Sequence, residues 1–497
     1  MDNEPDLVAE NDQLRDANAG LRQVIRRQAA ELDALRADNA ELKAQVEALT
    51  GQVAELQRRL GRNSSNLSMP PSAEGPAKKP AVPRQRGARK PGKQPGAPGA
   101  HLAQTDDPNE VVVHAPRACQ GCGGDLGDAP TVGQIRRQVF DLPAIRLRVV
   151  EHQAQRRVCG CGQVTTAAFP PGATAPACYG PGVRAAIAYL QTWQHLPVDR
   201  AAGLLGDLVG APIATGTIAN VVGEAAEVVT PAVAEIADQI AAAPVAHFDE
   251  TSARVAGRGH WVHVAATDTL AHFHVHAIRG KDGMDPAGIL PRFCGVAAHD
   301  CFAPYDRYNQ MTHQLCGAHL LRDLTAVAEM GEEQDWAQFM GDLLRQVWSW
   351  VKAAKAEDRD RLAGWQLASL NARYDGHIAQ GLQANPPPPG KQRATGKPAA
   401  LVQRLRTRRA DILRFAVDFA VPFDNNAAER DLRMIKLQTK ISGGWRTLTG
   451  AQAFCKMRSY IATARKQRQP ILGVLRQAFN GQPWMPAPAS QPLAAAA

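Results

Sequence analysis

Long apolar runs are missing from this chain of 497 residues. No uninterrupted apolar stretch reaches the roughly 18 residues a membrane helix needs, so a spanning segment and a membrane partner are excluded. The opening residues are charged throughout and lack an apolar heart, which argues against a standard secretory leader. Cysteine is scarce, with nine residues, an odd number. A disulfide scaffold is therefore not expected, and the thiols should be reduced or metal-bound. These absences predict a cytoplasmic protein. Charge of one sign is only mildly deficient: 48 acidic residues stand against 57 basic ones, for a net charge of +9. With 44% hydrophobic and 21% charged residues, most of the chain can build packed cores. At roughly 150 residues per domain, about three folded units fit.

Residues 1–60 carry a heptad array. Leu7, Leu14, Leu21, Leu35, Leu42, Leu49 and Leu56 recur every seven residues, interrupted by Gln28. Four places after each lie Asn11, Asn18, Ile25, Leu32, Asn39, Val46, Val53 and Leu60. The two sets fit the d and a positions of a coiled coil, and branched or Asn residues at a with Leu at d favour a parallel dimer. Residues 61–108 form a basic, Pro- and Gly-rich linker whose composition cannot offset its ordering entropy.

Residues 109–175 predict a small β-rich zinc-binding domain. Cys119 and Cys122 form a C-x-x-C knuckle, and Cys159 and Cys161 a tighter C-x-C pair. Four thiolates in two close pairs suit a structural Zn²⁺ site. Residues 176–240 read as helices, with a helix-turn-helix arrangement around "GAPIAT", Thr215 as N-cap and a second helix from about Thr217. From 241 to 330 the pattern turns to strands: "PVAHFDET", "HWVHVAATD" and "AHFHVHAI", then a helix, then "GVAAHDCF" and "HQLC". That order predicts a ribonuclease H-like α/β catalytic core. Residues 331–420 read as a helical, DNA-facing insertion with a Pro-rich loop, and 421–480 as a catalytic helix with a basic region. Residues 481–497 read as a disordered tail. The fold class is thus multidomain α+β, with a coiled coil, a zinc domain and a core interrupted by helices.

Three carboxylates stand out. Asp249 ends the first predicted strand, Asp300 ends the fourth, and Glu429 opens a helix in "PFDNNAAERDLRMIK". Singly, each has an ordinary reading; Glu429, three residues after Asn426, fits the N3 place of a capping box. Together they match the few carboxylates from separate elements that hold Mg²⁺ or Mn²⁺ on a phosphodiester. Residues 390–480 hold 19 Lys or Arg against 5 Asp or Glu, so the rest of the chain nets −5. A surplus this concentrated beside a metal site suits a polyanion. Arg406, Arg408, Arg409, Arg430, Arg433, Lys436, Lys440, Arg446, Lys456 and Arg458 are the candidate DNA contacts. Gly443 and Gly444 would admit phosphates close to the backbone, with Trp445 free to stack on a base.

The chain resembles the DDE transposases of the bacterial insertion-sequence-66 family. The likeness rests on the zipper, "NSSN…PPS", the cysteine pairs, "LPVDRAAGLL…TGTIANVV", "HFDET", "HDCFAPYD", "CGAHLLRDL" and "FDNNAAERDLR…KISGGWRTLTGAQAFCKMRSYIATARKQ". It implies a DDE triad of Asp249, Asp300 and Glu429, and a C-x-x-H element at Cys316 and His319 with a structural role near the active site. It also implies metal-dependent cleavage of transposon ends and strand transfer into target DNA. Expected partners are element and target DNA, a second copy through the zipper, and accessory proteins of the same element. The competing readings are a non-catalytic, sequence-specific DNA-binding regulator and a metal nuclease that cuts without rejoining.

Overall fold

The computed structural model describes residues 4–60, 102–143, 145–170, 172–387 and 394–487, with side chains from 10 to 53 in the first segment. Most of the predicted linker and the residues beyond 487 lie outside the described residues. The chain is mixed α/β and divides into two compact units.

The N-terminal helix α1 (Glu4–Leu60) runs unbroken for 57 residues, about 85 Å at 1.5 Å per residue. Among the described side chains, the heptad leucines Leu14, Leu21, Leu35, Leu42 and Leu49 are exposed. Arg15 and Arg36 pair back along the same helix with Asp12 and Asp33.

The first unit also takes in Pro244–Asp249 and Phe293–Glu429. Here the start of β3 (Val245–Val255) pairs in parallel with β6 (Val296–His299), which pairs in parallel with β7 (Thr312–Leu315). Helices α7 (Gly317–Ala328), α8 (Asp335–Ala356), α9 (Gly364–Ala384), α10 (Lys397–Thr407) and α11 (Arg409–Val417) share one core with β7. Leu320, Leu324, Met340, Leu344, Phe415 and Phe423 are central to it. The predicted insertion is helical, but its tryptophans are not all surface groups. Trp336 is buried with its indole N–H donated to Gln334, and Trp348 stacks on Phe423 at 4.7 Å.

The second unit holds the rest of the sheet. The distal part of β3 lies beside β4 (Arg258–Ala266), which pairs antiparallel with β5 (Ala271–His276). The strand order is β5-β4-β3-β6-β7. A short α6 (Lys281–Met284) precedes the β6 crossover. Helix α13 (Leu448–Lys466) covers the β5 edge. Ser459 and Thr463 accept the Phe273 and Ala271 N–H groups there, so the edge is not left as a template for another strand. Around α13 pack α2 (Pro181–Ala188), α4 (Thr215–Val228), α5 (Thr230–Ala241) and α14 (Ile471–Phe479). Helix α3 (Val198–Val209) ends at Gly210 in the left-handed conformation, and a turn leads into α4, a helix-turn-helix connection. Helix α4 begins at Thr215, capped by Ala214 without a side-chain bond, and carries no basic residue.

Three further expectations need correction. Asp249 does not end its strand: β3 continues to Val255, and only the pairing with β6 stops before it. The zinc domain is not β-rich. Among the described residues it has two three-residue strands, β1 (Arg156–Val158) and β2 (Val164–Thr166), and a bridge between Ala118 and Asp125. Its alternating apolar residues, such as Val132, Ile135 and Val139, are exposed, so no core gathers the strands. Finally, part of the predicted tail is placed. The Trp484 N–H donates to the Tyr460 hydroxyl and the Ala487 N–H to Gln467, because an aromatic partner is available at Tyr460.

Candidate active site and metal centres

The β3–β6 register sets the geometry. Val245 pairs with Val296 and His247 with Ala298. Two residues further on, the same count brings Asp249 level with Asp300. Side chains on neighbouring strands alternate faces in step, so an extension of this register past its last pair would give the two carboxylates one face. Asp300 also turns the chain away from β6 by accepting the Phe302 N–H at 2.9 Å.

Glu429 comes from α12 (Asn426–Ser442). The Glu429 N–H donates to the Asn425 carbonyl, making Asn425 the residue that caps this helix. The capping-box reading is thereby overturned, since it needed Asn426 as N-cap. Asn425, unnoticed in the sequence, is the anchor of the site. It is completely buried. Its Nδ2 donates to the Phe248 carbonyl at 2.7 Å, and its Oδ1 meets His247 Nδ1 at 2.9 Å. Its backbone N–H donates to Cys316 Sγ at 3.2 Å. The start of α12 is thus fastened to the residue preceding Asp249. Gly317 lets this approach happen: its N–H donates to the Phe423 carbonyl, and an added Cβ would lie 2.3 Å from the Phe423 ring.

Among the described residues, one set of three ligand atoms lies within 4.8 Å of one another: Cys316, His319 and Glu429. Asp249 and Asp300 are outside that set. His319 Nδ1 is 3.5 Å from Glu429 Oε1, and Arg322 Nη2 is 3.7 Å from the same oxygen. Burial pushes the Cys316 thiol up to about 12, against the N–H groups of His319 and Asn425 aimed at its sulfur. Burial, then the Arg322 charge, lowers His319 to about 4, so its imidazole is neutral.

The four cysteines of the zinc domain form two matching knuckles. The Cys119 N–H donates to the Gly124 carbonyl, and the Gly123 N–H to the Cys119 carbonyl. The Cys159 N–H donates to the Gln163 carbonyl, and the Gly162 N–H to the Cys159 carbonyl. A glycine with positive φ follows the second cysteine of each pair, Gly123 at 75° and Gly162 at 85°. Backbone N–H groups, those of Cys122 and Cys161 first, lower the Cys119 and Cys159 thiols. Such tight turns suit thiolate ligation. The two knuckles are not gathered into one ligand set. With almost no buried side chain here, a metal would supply the closure that a core does not.

The predicted DNA contacts separate into two groups. Arg430, Arg433, Lys440 and Arg446 are exposed, and the first three, with Leu437, share one face of α12 by their spacing. Lys436 is half-buried, and Arg406 is exposed on α10. The others are committed elsewhere. Arg408 pairs with Asp306 and Asp411, and Arg409 with Asp375. Lys456 pairs with Glu227. Arg458 is 3% exposed, lies over Trp193 at 4.0 Å and donates to the Thr192 carbonyl. Trp445 packs on Phe454, and its backbone pairs with Arg254 and Ala256. Gly444, with φ of 127°, allows that strand-like contact, since a Cβ would sit 2.3 Å from the Arg254 carbonyl. The Gly-Gly-Trp segment therefore seals β3 and is not a free base platform. Among the non-selected acids, Glu250 is buried against Arg279, and Asp323 pairs with Arg404.

The paired cysteine knuckles and the mixed sheet fit the class of the molecule, a transposase with a zinc-finger module. Residues 116–162 match a zinc-finger binding domain of transposase IS66, and residues 9–103 match a family of unknown function. The chain belongs to the transposase IS66 family, whose model matches residues 176–453. It is also similar to an uncharacterized protein, y4hP, of Sinorhizobium fredii, at 23% identity over 244 residues. That match covers 44% of this chain and 43% of the relative, so the chain spans under half of its length. Among the described residues, no helix is long and apolar enough to cross a membrane.

Proposed function

We propose that the chain is a DDE transposase that cleaves DNA at element ends and transfers the freed 3′ ends into target DNA, with Asp249, Asp300 and Glu429 as its acidic trio. The observation that carries this reading is the β3–β6 register, which aligns Asp249 with Asp300 while Asn425 ties the Glu429 helix to the adjoining residue. The strand order β5-β4-β3-β6-β7, three antiparallel strands followed by two parallel ones, supports a ribonuclease H-like core. Oxygen-only carboxylate donors fit Mg²⁺ or Mn²⁺, and such an ion, when bound, stabilises negative charge developing on the phosphodiester oxygens. Asp249 and Asp300 would hold it from the sheet and Glu429 from α12. Arg430, Arg433 and Lys440 would neutralise phosphates along the DNA backbone. Cys119, Cys122, Cys159 and Cys161 would share one structural Zn²⁺, and α1 would pair with a second copy as a parallel coiled coil. The chain without residues 1–60 should then halve its mass in light scattering; an unchanged mass refutes zipper pairing.

Asp249→Asn, Asp300→Asn and Glu429→Gln test the trio. Each keeps its shape and loses the ligand charge. The expected result is retained binding of element ends, normal melting, and loss of cleavage and strand transfer. Asp323→Asn serves as the acidic control and should keep more activity. A Glu429→Gln protein that cuts at the parental rate removes Glu429 from the trio. Parental chain that binds ends but never cuts them favours the regulatory reading.

A further inference from the structure

The set Cys316, His319 and Glu429 differs in chemistry from the proposed acidic trio. It offers one sulfur, one nitrogen and one oxygen, all within 4.8 Å of each other. Hard Mg²⁺ takes oxygen ligands, whereas thiolate with imidazole and carboxylate selects a borderline ion such as Zn²⁺. We propose that Cys316, His319 and Glu429 form a second, regulatory site for Zn²⁺ or a chemically similar ion, which withdraws Glu429 from the acidic trio when filled. The part concerning Glu429 rests on the reading of that trio; the metal site itself does not.

Three observations support it. The 3.5 Å between His319 Nδ1 and Glu429 Oε1 agrees with the edge of a tetrahedral zinc site, about 3.4 Å for bonds of about 2.0–2.1 Å. His319 Nδ1 is buried and makes no hydrogen bond, so an imidazole nitrogen is aimed at the centre of the set without another task. The sulfur is held in place by the Asn425 N–H, which donates to it at 3.2 Å, and Cys316 stands at the N-cap of α7, where the backbone N–H groups of His319 and Ala318 stabilise negative charge on it. The charges facing the site also balance. Arg322 and Asp323 on α7 are one cation and one anion, and Asp323 is already paired with Arg404. A thiolate and a carboxylate neutralise a divalent ion, the thiol proton leaving to solvent. Arg322, now 3.7 Å from the same Glu429 oxygen, would move to the second one when the ion binds, as a carboxylate accepts on both. Three protein ligands leave the fourth tetrahedral position to water.

The test uses the full chain, stripped of metal and reloaded with Zn²⁺ or Co²⁺ as probe, with metal content and cobalt absorption measured per chain. The parental protein should hold about one equivalent more than Cys316→Ser, His319→Asn or Glu429→Gln, the knuckle site remaining in all. Melting curves identify any variant that fails to fold, and the partly exposed His319 provides the second handle if Cys316→Ser does so. Equal metal content and identical cobalt spectra in parental and folded His319→Asn protein overturn the site. Added Zn²⁺ should also inhibit Mg²⁺-supported cleavage, and His319→Asn should raise the inhibiting concentration by at least about tenfold. If the parental chain cuts nothing, the metal count still decides the site. If it cuts and the count does not change, the regulatory site alone is refuted. If the count changes but Zn²⁺ inhibits both proteins equally, the site stands and its control of Glu429 falls.

Discussion

Replacing Asn425 is the sharpest probe of how this site is built. The side chain has no solvent access and makes two hydrogen bonds, to the Phe248 carbonyl and His247. Each is worth about 1 kcal/mol net, and a buried partner left behind raises the cost toward about 1–3 kcal/mol. Asn425→Ala should therefore destabilise the fold by about 2–4 kcal/mol, lowering the melting temperature by roughly 5–15 °C. Asn425→Asp makes a further distinction. It exchanges the donor toward Phe248 for an acceptor and buries a carboxyl, whose pKa would be raised in the folded state. The sign follows from linkage: the added penalty is absent below the unfolded value, about 3.9, and grows as pH rises toward the folded value. The Asp variant should thus recover relative to the Ala variant on acidification. Urea titrations at pH 7.5 and 4.5 measure both effects. An Ala variant within about 0.5 kcal/mol of the parent, or an Asp variant that follows the Ala variant at both pH values, refutes the anchoring role.

Other consequences are equally direct. Gly317→Ala places a methyl group into the Phe423 ring and should cost about 1–3 kcal/mol by urea denaturation; an unchanged midpoint refutes the close approach. His263, His272 and His274 are each lowered to about 4, chiefly by burial. Their folded pKa lies below the unfolded value, so stability is lost as pH falls from about 6.5 to 4, by up to about 1.4 kcal/mol per pH unit for each; a urea midpoint constant from pH 7 to 5 contradicts this. Arg433→Ala should weaken DNA binding and reduce the salt slope by about 1, whereas Arg458→Ala should lower the melting temperature; the reverse pattern would exchange their roles.

Much of the core was legible because it is written in period-two apolar runs. The strands from Val245 to Leu315 follow the predicted order, since "HWVHVAATD" and "AHFHVHAI" cannot be amphipathic helices. The heptads likewise announced a long helix, which α1 is. Asn425 was not legible: an Asn before a helix reads as a cap, and nothing local reveals that its amide turns toward a strand 177 residues away in sequence. Arg458 and Lys456 misled for the same reason. Composition counts a charge without its surroundings, and Trp193 and Glu227 are contributed by distant helices. The Cys316–His319 pair could be seen, but its third ligand could not, because spacing says nothing about which remote carboxylate completes a set.

The proposed trio leaves a long interval between Asp300 and Glu429. Loop-closure entropy grows only with the logarithm of length, so a distant third carboxylate costs little provided the intervening chain orders itself. Here it does. Helices α8 to α11 bury Met340, Leu344, Val347 and Phe415 in the same core as Leu315 and Leu320, at the entrance to α7. Phe423 closes that core, stacked on Trp348 and edge-on to Phe415. Two residues later Asn425 reaches Phe248, and Glu429 follows within one helical turn. The helices between Asp300 and Glu429 therefore work as a clamp: their packing positions Phe423, and Phe423 fixes the start of α12.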